Sequence, residues 1–218
     1  MNVLVWNLFH GRAQPPAGRE LQAQFAAAIA GWDWDVALLQ EVPPWWPRPL
    51  AVAARASMRM CLTSRNEPYA PRVWLGRRWP DLIKSGAGGA NAILVRGEAI
   101  TAHRRVRLAW WPERRWMHAV RLASGTWAGN LHASKQEPRA RTERDVATAT
   151  GAITVWAGAA PVLLGGDFNM PMTDAGDLRH VAGGGVDHVL TRGLTRVRAE
   201  RLDAGPLSDH APIRVELA

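Results

Sequence analysis

The sequence predicts an α+β protein in which two β-sheets pack face to face and helices cover their outer sides. Three observations carry this. Short apolar runs closed by Gly, Pro or Ser turn signals recur along the chain, and three follow one another between residues 100 and 131 with no helical stretch between them, which points to antiparallel pairing. Three stretches with apolar residues at helical spacing punctuate these runs. Finally, the 218 residues contain no linker-like segment and no internal repeat, so one domain spanning residues 1–218 is expected.

The first element is a strand. Val3, Val5 and Asn7 alternate with Leu4, Trp6 and Leu8, apolar on both faces, as in a strand buried from both sides. A helix follows, opened by Pro16, with Leu21, Phe25, Ala28 and Ile29 on one face and Gly31 closing it. Val36 to Leu39 is a buried strand that delivers Gln40 and Glu41 at its tip. The Pro-rich segment from Pro43 to Pro49 is a rigid loop, and Leu50 to Met60 a shorter second helix. Strands are expected at Ala90 to Val95, Ile100 to Leu108, Trp116 to Leu122 and Thr126 to Leu131, separated by Arg96-Gly97, by Trp110-Trp111-Pro112 and by Ser124-Gly125. Pro138 to Ala157 forms the third helix and Val162 to Gly165 a buried strand. Val186 to Leu190, Leu194 to Ala199 and Ile213 to Leu217 complete the set.

Composition narrows the class. With 47% hydrophobic and 21% charged residues the chain is a packed globular protein, and disordered or collagen-like alternatives are excluded. The 27 Lys and Arg against 19 Asp and Glu give a net charge of +8, and all but Lys84 and Lys135 of the basic residues are Arg. Two explanations stand side by side: arginine forks for a polyanionic substrate, or the codon usage of a GC-rich genome. Cys61 alone supports neither a disulfide framework nor a thiolate metal cluster, and fits a reducing compartment. The segment MNVLVWNLFHGR has no basic leader before its apolar run, and the uncharged run from Val146 to Gly166 is divided by Pro161 into a helix end and a strand. A cytoplasmic, monomeric protein is expected, with no membrane and no obligate protein partner.

Twelve tryptophans are many for this length, and several stand beside arginine: Trp45, Trp46 and Arg48; Arg77, Arg78 and Trp79; Trp110, Trp111, Arg114, Arg115 and Trp116. Interleaved indoles and guanidinium groups suit stacked bases and phosphates; equally, the indoles fill the core beneath covering arginines. Trp6, Trp127 and Trp156, inside apolar segments, are core.

Reactive groups gather at the strand ends: Asn7, Glu41, His132, Asp167 with Asn169, Asp187 with His188, and Asp209 with His210. Singly each reads as a turn residue, a cap or a structural histidine. Jointly they form an oxygen-rich set without sulfur, which favours Mg²⁺, Mn²⁺ or Ca²⁺ over Zn²⁺, and the histidines add proton carriers of the kind hydrolysis needs. No G-x-S-x-G elbow, phosphate-binding glycine-lysine loop or cysteine nucleophile is present, which leaves water as the nucleophile.

The segments VLVWNLFHG (Val3 to Gly11), DVALLQEV (Asp35 to Val42), GGANAILVR (Gly88 to Arg96), GNLHAS (Gly129 to Ser134), LLGGDFNMP (Leu163 to Pro171), VDHVL (Val186 to Leu190) and LSDHAPI (Leu207 to Ile213) resemble, in order and over nearly the whole chain, the endonuclease/exonuclease/phosphatase superfamily of DNase I-like, metal-dependent phosphoesterases. The resemblance implies a four-layer α/β sandwich with two mixed sheets and a Mg²⁺ (or Mn²⁺) cofactor. It implies Glu41 as principal metal ligand with Asn7 beside it and Asp209 on the metal side. It implies Asp167 and Asn169 as the pair that positions water and a phosphate oxygen, and His210, held by Asp187, as the contact to the scissile phosphate. His132 corresponds to a donor to phosphate or to the leaving oxygen. Asn91 is either a substrate contact or a backbone cap. His188 should face away from the site and be structural. His10 and Arg12 either touch phosphate or serve the loop, and Arg141 and Arg144 pair on the surface with Glu137 or Glu143.

Two departures bear on substrate. The abasic-site endonucleases of this superfamily carry an acid two positions after the first Asn, where this chain has Phe9, and they place a longer insertion where only 17 residues separate Asn169 from Asp187. The expectation is a compact nuclease of low sequence specificity, with a phosphatase or phospholipase-like hydrolase of small or lipid phosphates as the alternative.

Overall fold

The computed structural model describes residues 1–64, 66–111, 113–135 and 139–218. Two six-stranded sheets form the body. The strands are β1 (Asn2–Asn7), β2 (Val36–Val42), β3 (Ser57–Thr63), β4 (Gly89–Val95), β5 (Ile100–Ala109), β6 (Arg115–Leu122), β7 (Trp127–His132), β8 (Val162–Asp167), β9 (Arg179–Gly184), β10 (Asp187–Arg192), β11 (Arg196–Arg201) and β12 (Ile213–Leu217). The first sheet runs β11-β12-β1-β2-β4-β3 and the second β5-β6-β7-β8-β10-β9. Each is mixed in the same way: one central parallel pair, β1 with β2 or β7 with β8, flanked by antiparallel neighbours. The helices are α1 (Gln22–Gly31), α2 (Pro47–Ala53), α3 (Tyr69–Arg78), α4 (Pro80–Ile83) and α5 (Ala140–Ala157).

The alternation in the first strand explains the layers. Val3 and Val5 point between the sheets, where they meet Leu38, Ile93, Val120, Leu163 and Val189. Leu4 and Trp6 point outward into a second cluster under α1 and α2, with Phe25, Ile29 and Leu50. The second sheet repeats the plan, with Leu131 and Leu164 packed against Val146, Ala149 and Ile153 of α5. Four layers result, as the resemblance implied.

Several elements differ from expectation. α1 begins at Gln22, not Pro16, because the preceding residues are held by other parts of the chain: Ala13 bridges Leu207, Gln14 N donates to Pro206 O (2.8 Å) and Gly18 N donates to Asp81 (2.7 Å). The second helix ends at Ala53, and residues 57–60 belong to edge strand β3, whose ladder with β4 overrides the helical preference of its methionines. α3, α4 and β9 have no counterpart in the sequence pattern. The third helix ends at Ala157 as expected and is described from Ala140; its expected start at Pro138, the Pro112 break and the Glu137 partner lie outside the described residues.

Trp6, Trp34, Trp46 and Trp127 are buried, and Trp156 packs against Trp127. The Trp45-Trp46 pair is structural too, since both indole N–H groups donate to Glu20 (2.8 and 3.1 Å). Trp110 and Trp111 behave differently: they are 59% and 65% exposed. No helix among the described residues is long and apolar enough to cross a membrane.

Candidate active site

The parallel pairs set the site. In a parallel pair both strands end at the same edge, so β1 and β2 bring Asn7 and Glu41 together while β7 and β8 bring His132 opposite Asp167. β10 begins there, with Asp187 in register with Asp167. The loop before β12 returns Ser208, Asp209 and His210 to this edge. Its Ser208 hydroxyl donates to the Asn7 carbonyl (2.6 Å) and accepts from His210 N (3.1 Å), and the Trp6 indole donates to the His210 carbonyl (2.9 Å).

Backbone strain is concentrated here. Phe9, His10, Glu41, Asn169 and Ser208 all adopt positive φ, from 50° to 66°. Glu41 does so within an irregularity of the β2–β4 ladder, a bulge that turns its carboxylate out of the sheet plane. Such conformations cost energy in any single residue and persist only where the surroundings enforce them.

The side chains form two facing groups. In the first, Asp167 accepts from Asn7 Nδ2 (3.0 Å) and from the Asn169 amide (2.9 Å), and His210 Nδ1 donates to Asp187 (2.7 Å). Asn169 Nδ2 donates to the Ala133 carbonyl (2.9 Å). In the second, Glu41 meets His10 Nε2 at 3.1 Å and His132 Nε2 at 3.6 Å, and His132 Nε2 lies 3.7 Å from Asp167, linking the groups. Asp209 lies 3.8 Å from His210 Nε2. His10, Glu41, His132, Asp167, Asn169, Asp209 and His210 line a cleft of about 270 Å³, with Asn7 and Asp187 behind them, and its rim adds Arg12, Lys84, Arg115 and Lys135. A larger cavity of about 640 Å³ between β9 and β11 contains none of these groups.

The electrostatics divide the labour. Burial alone would lower the His210 pKa, but the hydrogen bond and charge of Asp187, with Asp167 and Asp209, raise it to about 9. His210 is therefore an imidazolium at neutral pH. Burial, then the Asp187 charge, raises Asp167 to about 6. His132 is held well below its ordinary value by burial and the neighbouring Arg115, whose Nη1 lies 2.7 Å from His132 Nδ1, and is neutral. His10 is likewise lowered by burial.

The acidic groups suit a cation. One ligand atom from each of Asp167, Asp187 and His210 lies within 4.8 Å of the others. His210, protonated and committed to Asp187, is a poor ligand. The oxygens of Glu41, Asp167 and Asp209 remain, and the raised pKa of Asp167, set first by burial and then by the Asp187 charge, marks a carboxylate whose ionised form the His210 cation only partly offsets. The Asp187 Oδ1, buried with no partner among the described residues, points to the same deficit. A hard divalent ion fits this set.

Other expectations divide. His188 is buried on the opposite face of β10, its ring against Phe168 and His180, as a structural residue should be. Asn91 is fully buried, donates from Nδ2 to the Trp116 carbonyl (3.3 Å), and is not among the residues lining the cleft. His10 serves Glu41. Arg12 lies over the ring of Phe9, 3.6 Å from its centroid. Arg144 has no ion pair with Glu143 among the described residues; Glu143 instead meets Arg139 at 3.1 Å. Sequence reasoning missed Arg115, Ser208, Lys84 and Lys135 as site residues. Each carried a partial signal: the lysines as the two exceptions among the basic residues, Arg115 within the Trp–Arg interleaving, and Ser208 within LSDHAPI.

Two mixed sheets carry a carboxylate and imidazole cluster at the ends of their parallel pairs, a donor set suited to the hydrolysis of phosphate esters. Residues 4–210 match the model of the Endonuclease/Exonuclease/phosphatase family, and the chain belongs to that family. Among solved structures it is similar over its whole length to an endonuclease/exonuclease/phosphatase from Beutenbergia cavernae DSM 12333 (20% identity, TM-score 0.74, 71% of that chain covered). It is also similar to a mannosyl-6-phosphatase from Bacteroides thetaiotaomicron (16%, 0.74, 99% covered) and to a humanized D. rerio TDP2 (15%, 0.72, 98% covered), in both cases again over 100% of this chain. No curated protein matches the sequence.

Proposed function

We propose that the protein is a divalent-metal-dependent phosphodiesterase that hydrolyses nucleic acid, with water as the nucleophile. The observation that carries it is the pairing of an imidazolium, His210 on Asp187, with a buried carboxylate, Asp167, across a cleft whose far wall is Glu41. Glu41 and Asp209, with Asn7 orienting Asp167 from beside them, would hold Mg²⁺ or Mn²⁺, which when bound supplies Lewis-acid neutralisation of the phosphate oxygens.

The chain's own groups do the rest. Asp167, ionised above about pH 6, accepts a proton from the attacking water, and Asn169 positions that water and a phosphate oxygen. The His210 imidazolium donates to a non-bridging phosphate oxygen as negative charge develops there. Asp187 holds its ring by Nδ1 so that Nε2 faces the cleft. Neutral His132 contributes a hydrogen bond to phosphate or to the leaving oxygen without adding charge. Lys84, Lys135, Arg12 and Arg115 surround the acidic centre, an arrangement suited to flanking phosphates of a longer polyanion.

The test is a hydrolysis panel with Mg²⁺, Mn²⁺ or EDTA on plasmid, single-stranded DNA, RNA, a sugar 6-phosphate, inositol phosphates and sphingomyelin. Metal-dependent cleavage of the polynucleotides is expected. Turnover confined to the small phosphates or the lipid would overturn the nuclease reading in favour of the phosphatase or phospholipase-like one.

A further inference from the structure

The hairpin of β5 and β6 carries a feature that the chemistry of the cleft does not use. Between Ile100 and Leu122 there are six arginines and one acid, Glu113, so this segment alone holds +5 of the chain's charge. Along one side guanidinium groups and indoles alternate. Arg105 lies 5.3 Å from the centroid of Trp116, Arg107 lies 5.8 Å from Trp116 and 4.9 Å from Trp110, and Arg114 lies 4.9 Å from Trp110. Among the described residues Arg105, Arg107 and Arg114 have no carboxylate partner.

The strip is continuous with the site. Its last members adjoin Arg115, which reaches His132 in the cleft, and the Arg114 carbonyl accepts from Ser64 N (2.9 Å), which fixes the hairpin against the end of β3. The opposite side of β5 is not available for a ligand, since Ala102, Val106 and Leu108 pack with the cluster under α5. A ladder of cations and flat rings, exposed at Arg105, Arg107 and Trp110 and half-buried at Arg114 and Trp116, leads to a phosphodiester cleft and matches a chain that alternates phosphates with flat rings. The bases must be unpaired, because a duplex hides their faces.

We propose that the β5–β6 strip is a docking track for a single-stranded segment of polynucleotide, whose phosphates meet Arg105, Arg107 and Arg114 and whose bases stack on Trp110 and Trp116. The track deepens the nuclease reading and rests on it for the delivery of the next phosphodiester past Arg115, but its occupancy is measurable without turnover.

The experiment measures fluorescence anisotropy of a labelled twelve-nucleotide single strand, a blunt duplex of the same length and anionic phosphatidylglycerol vesicles, all in EDTA. It uses the full chain, Trp110→Ala and Trp110→Phe. Parallel assays in Mn²⁺ follow hydrolysis of bis(p-nitrophenyl) phosphate, which is too small to reach the strip. Removing one stacking surface should weaken single-strand binding by about tenfold, with Phe restoring most of it and small-substrate turnover unchanged. Because Trp110 is largely exposed, its truncation leaves the core intact, which a thermal melt checks. Equal affinity for duplex and single strand, unchanged affinity in Trp110→Ala, or preferential binding to the vesicles would each overturn the track. Absence of bis(p-nitrophenyl) phosphate hydrolysis in the parent would instead overturn the site reading, whatever the binding shows.

Discussion

Asp167 is the residue on which folding and chemistry pull in opposite directions. Its carboxyl is 3% exposed and sits in register with Asp187, so ionising it in the folded chain is harder than in the unfolded one. With a folded pKa of about 6 above an ordinary value of 3.8, its contribution favours the fold below the unfolded value and is lost as pH rises through about 6. At pH 8 the ionised group therefore destabilises the apoprotein. Asp167→Asn removes that charge but also turns one acceptor into a donor facing the Asn169 amide, so only part of the gain survives. In EDTA at pH 8 the variant should melt about 4 °C above the parent, the difference should vanish near pH 4, and turnover should be lost. A variant no more stable than the parent at pH 8 would show that Asp167 is better compensated than its surroundings indicate. His210 shifts in the same direction for the opposite reason: the carboxylates of Asp187, Asp167 and Asp209 favour its charged form, so it stabilises the fold below its ordinary 6.5 and loses that effect as pH rises through about 9.

At the scale of elements, the strand pair β7–β8 is what fixes His132 opposite Asp167, and one residue permits it. Gly166 has φ of 144°, and a Cβ there would lie 1.9 Å from the Leu131 carbonyl oxygen on the neighbouring strand. Gly166→Ala must push the two strands apart at the residue before Asp167, and should cost about 3 kcal/mol or more and lower Tm by about 8 °C or more. Gly31→Ala, which meets nothing at the end of α1, is the control and should be nearly neutral. Calorimetry of the two decides it. These central strands were also the ones legible in the sequence. β1, β2, β7 and β8 are covered on both faces, so their apolar runs are unbroken, and the reactive residue stands immediately after the run. β3 does not show in the sequence because this edge strand, SMRMCLT, is half exposed and built from helix-compatible residues. β9 ends in glycines, and α3 buries only Gly76 within its span, so neither shows an apolar period. The site divides in the same way. Asn7, Glu41, His132 and Asp167 are marked by the strands they end, whereas Arg115 belongs to a Trp–Arg run in which nothing tells the guanidinium that enters the cleft from its neighbours.

Over the whole molecule, the net charge of +8 is resolved into arginines with different surroundings. Arg179, Arg192 and Arg198 meet Asp174, Asp177 and Glu200 on the surface, pairs that contribute little to stability and leave little field for a ligand. Among the described residues Arg105, Arg107 and Arg114 lack such partners, and both lysines of the chain line the cleft. Codon usage accounts for the first group as well as any functional argument does; it gives no reason for arginines to alternate with indoles along the one hairpin that leads to the cleft. Counterion release separates the two. Each single-strand phosphate met by a cation contributes about −0.7 to the slope of log affinity against log salt. Three phosphates on the strip give a slope of about −2. Arg107→Gln should reduce its magnitude by about 0.7, and Arg198→Gln should leave it unchanged. A parent slope near zero would mean that the basic surplus plays no part in substrate binding, and equal reductions in the two variants would mean that the surplus acts only as a diffuse field. The expected inequality places the recognition of a long polyanion on one hairpin, next to the cleft that would cut it.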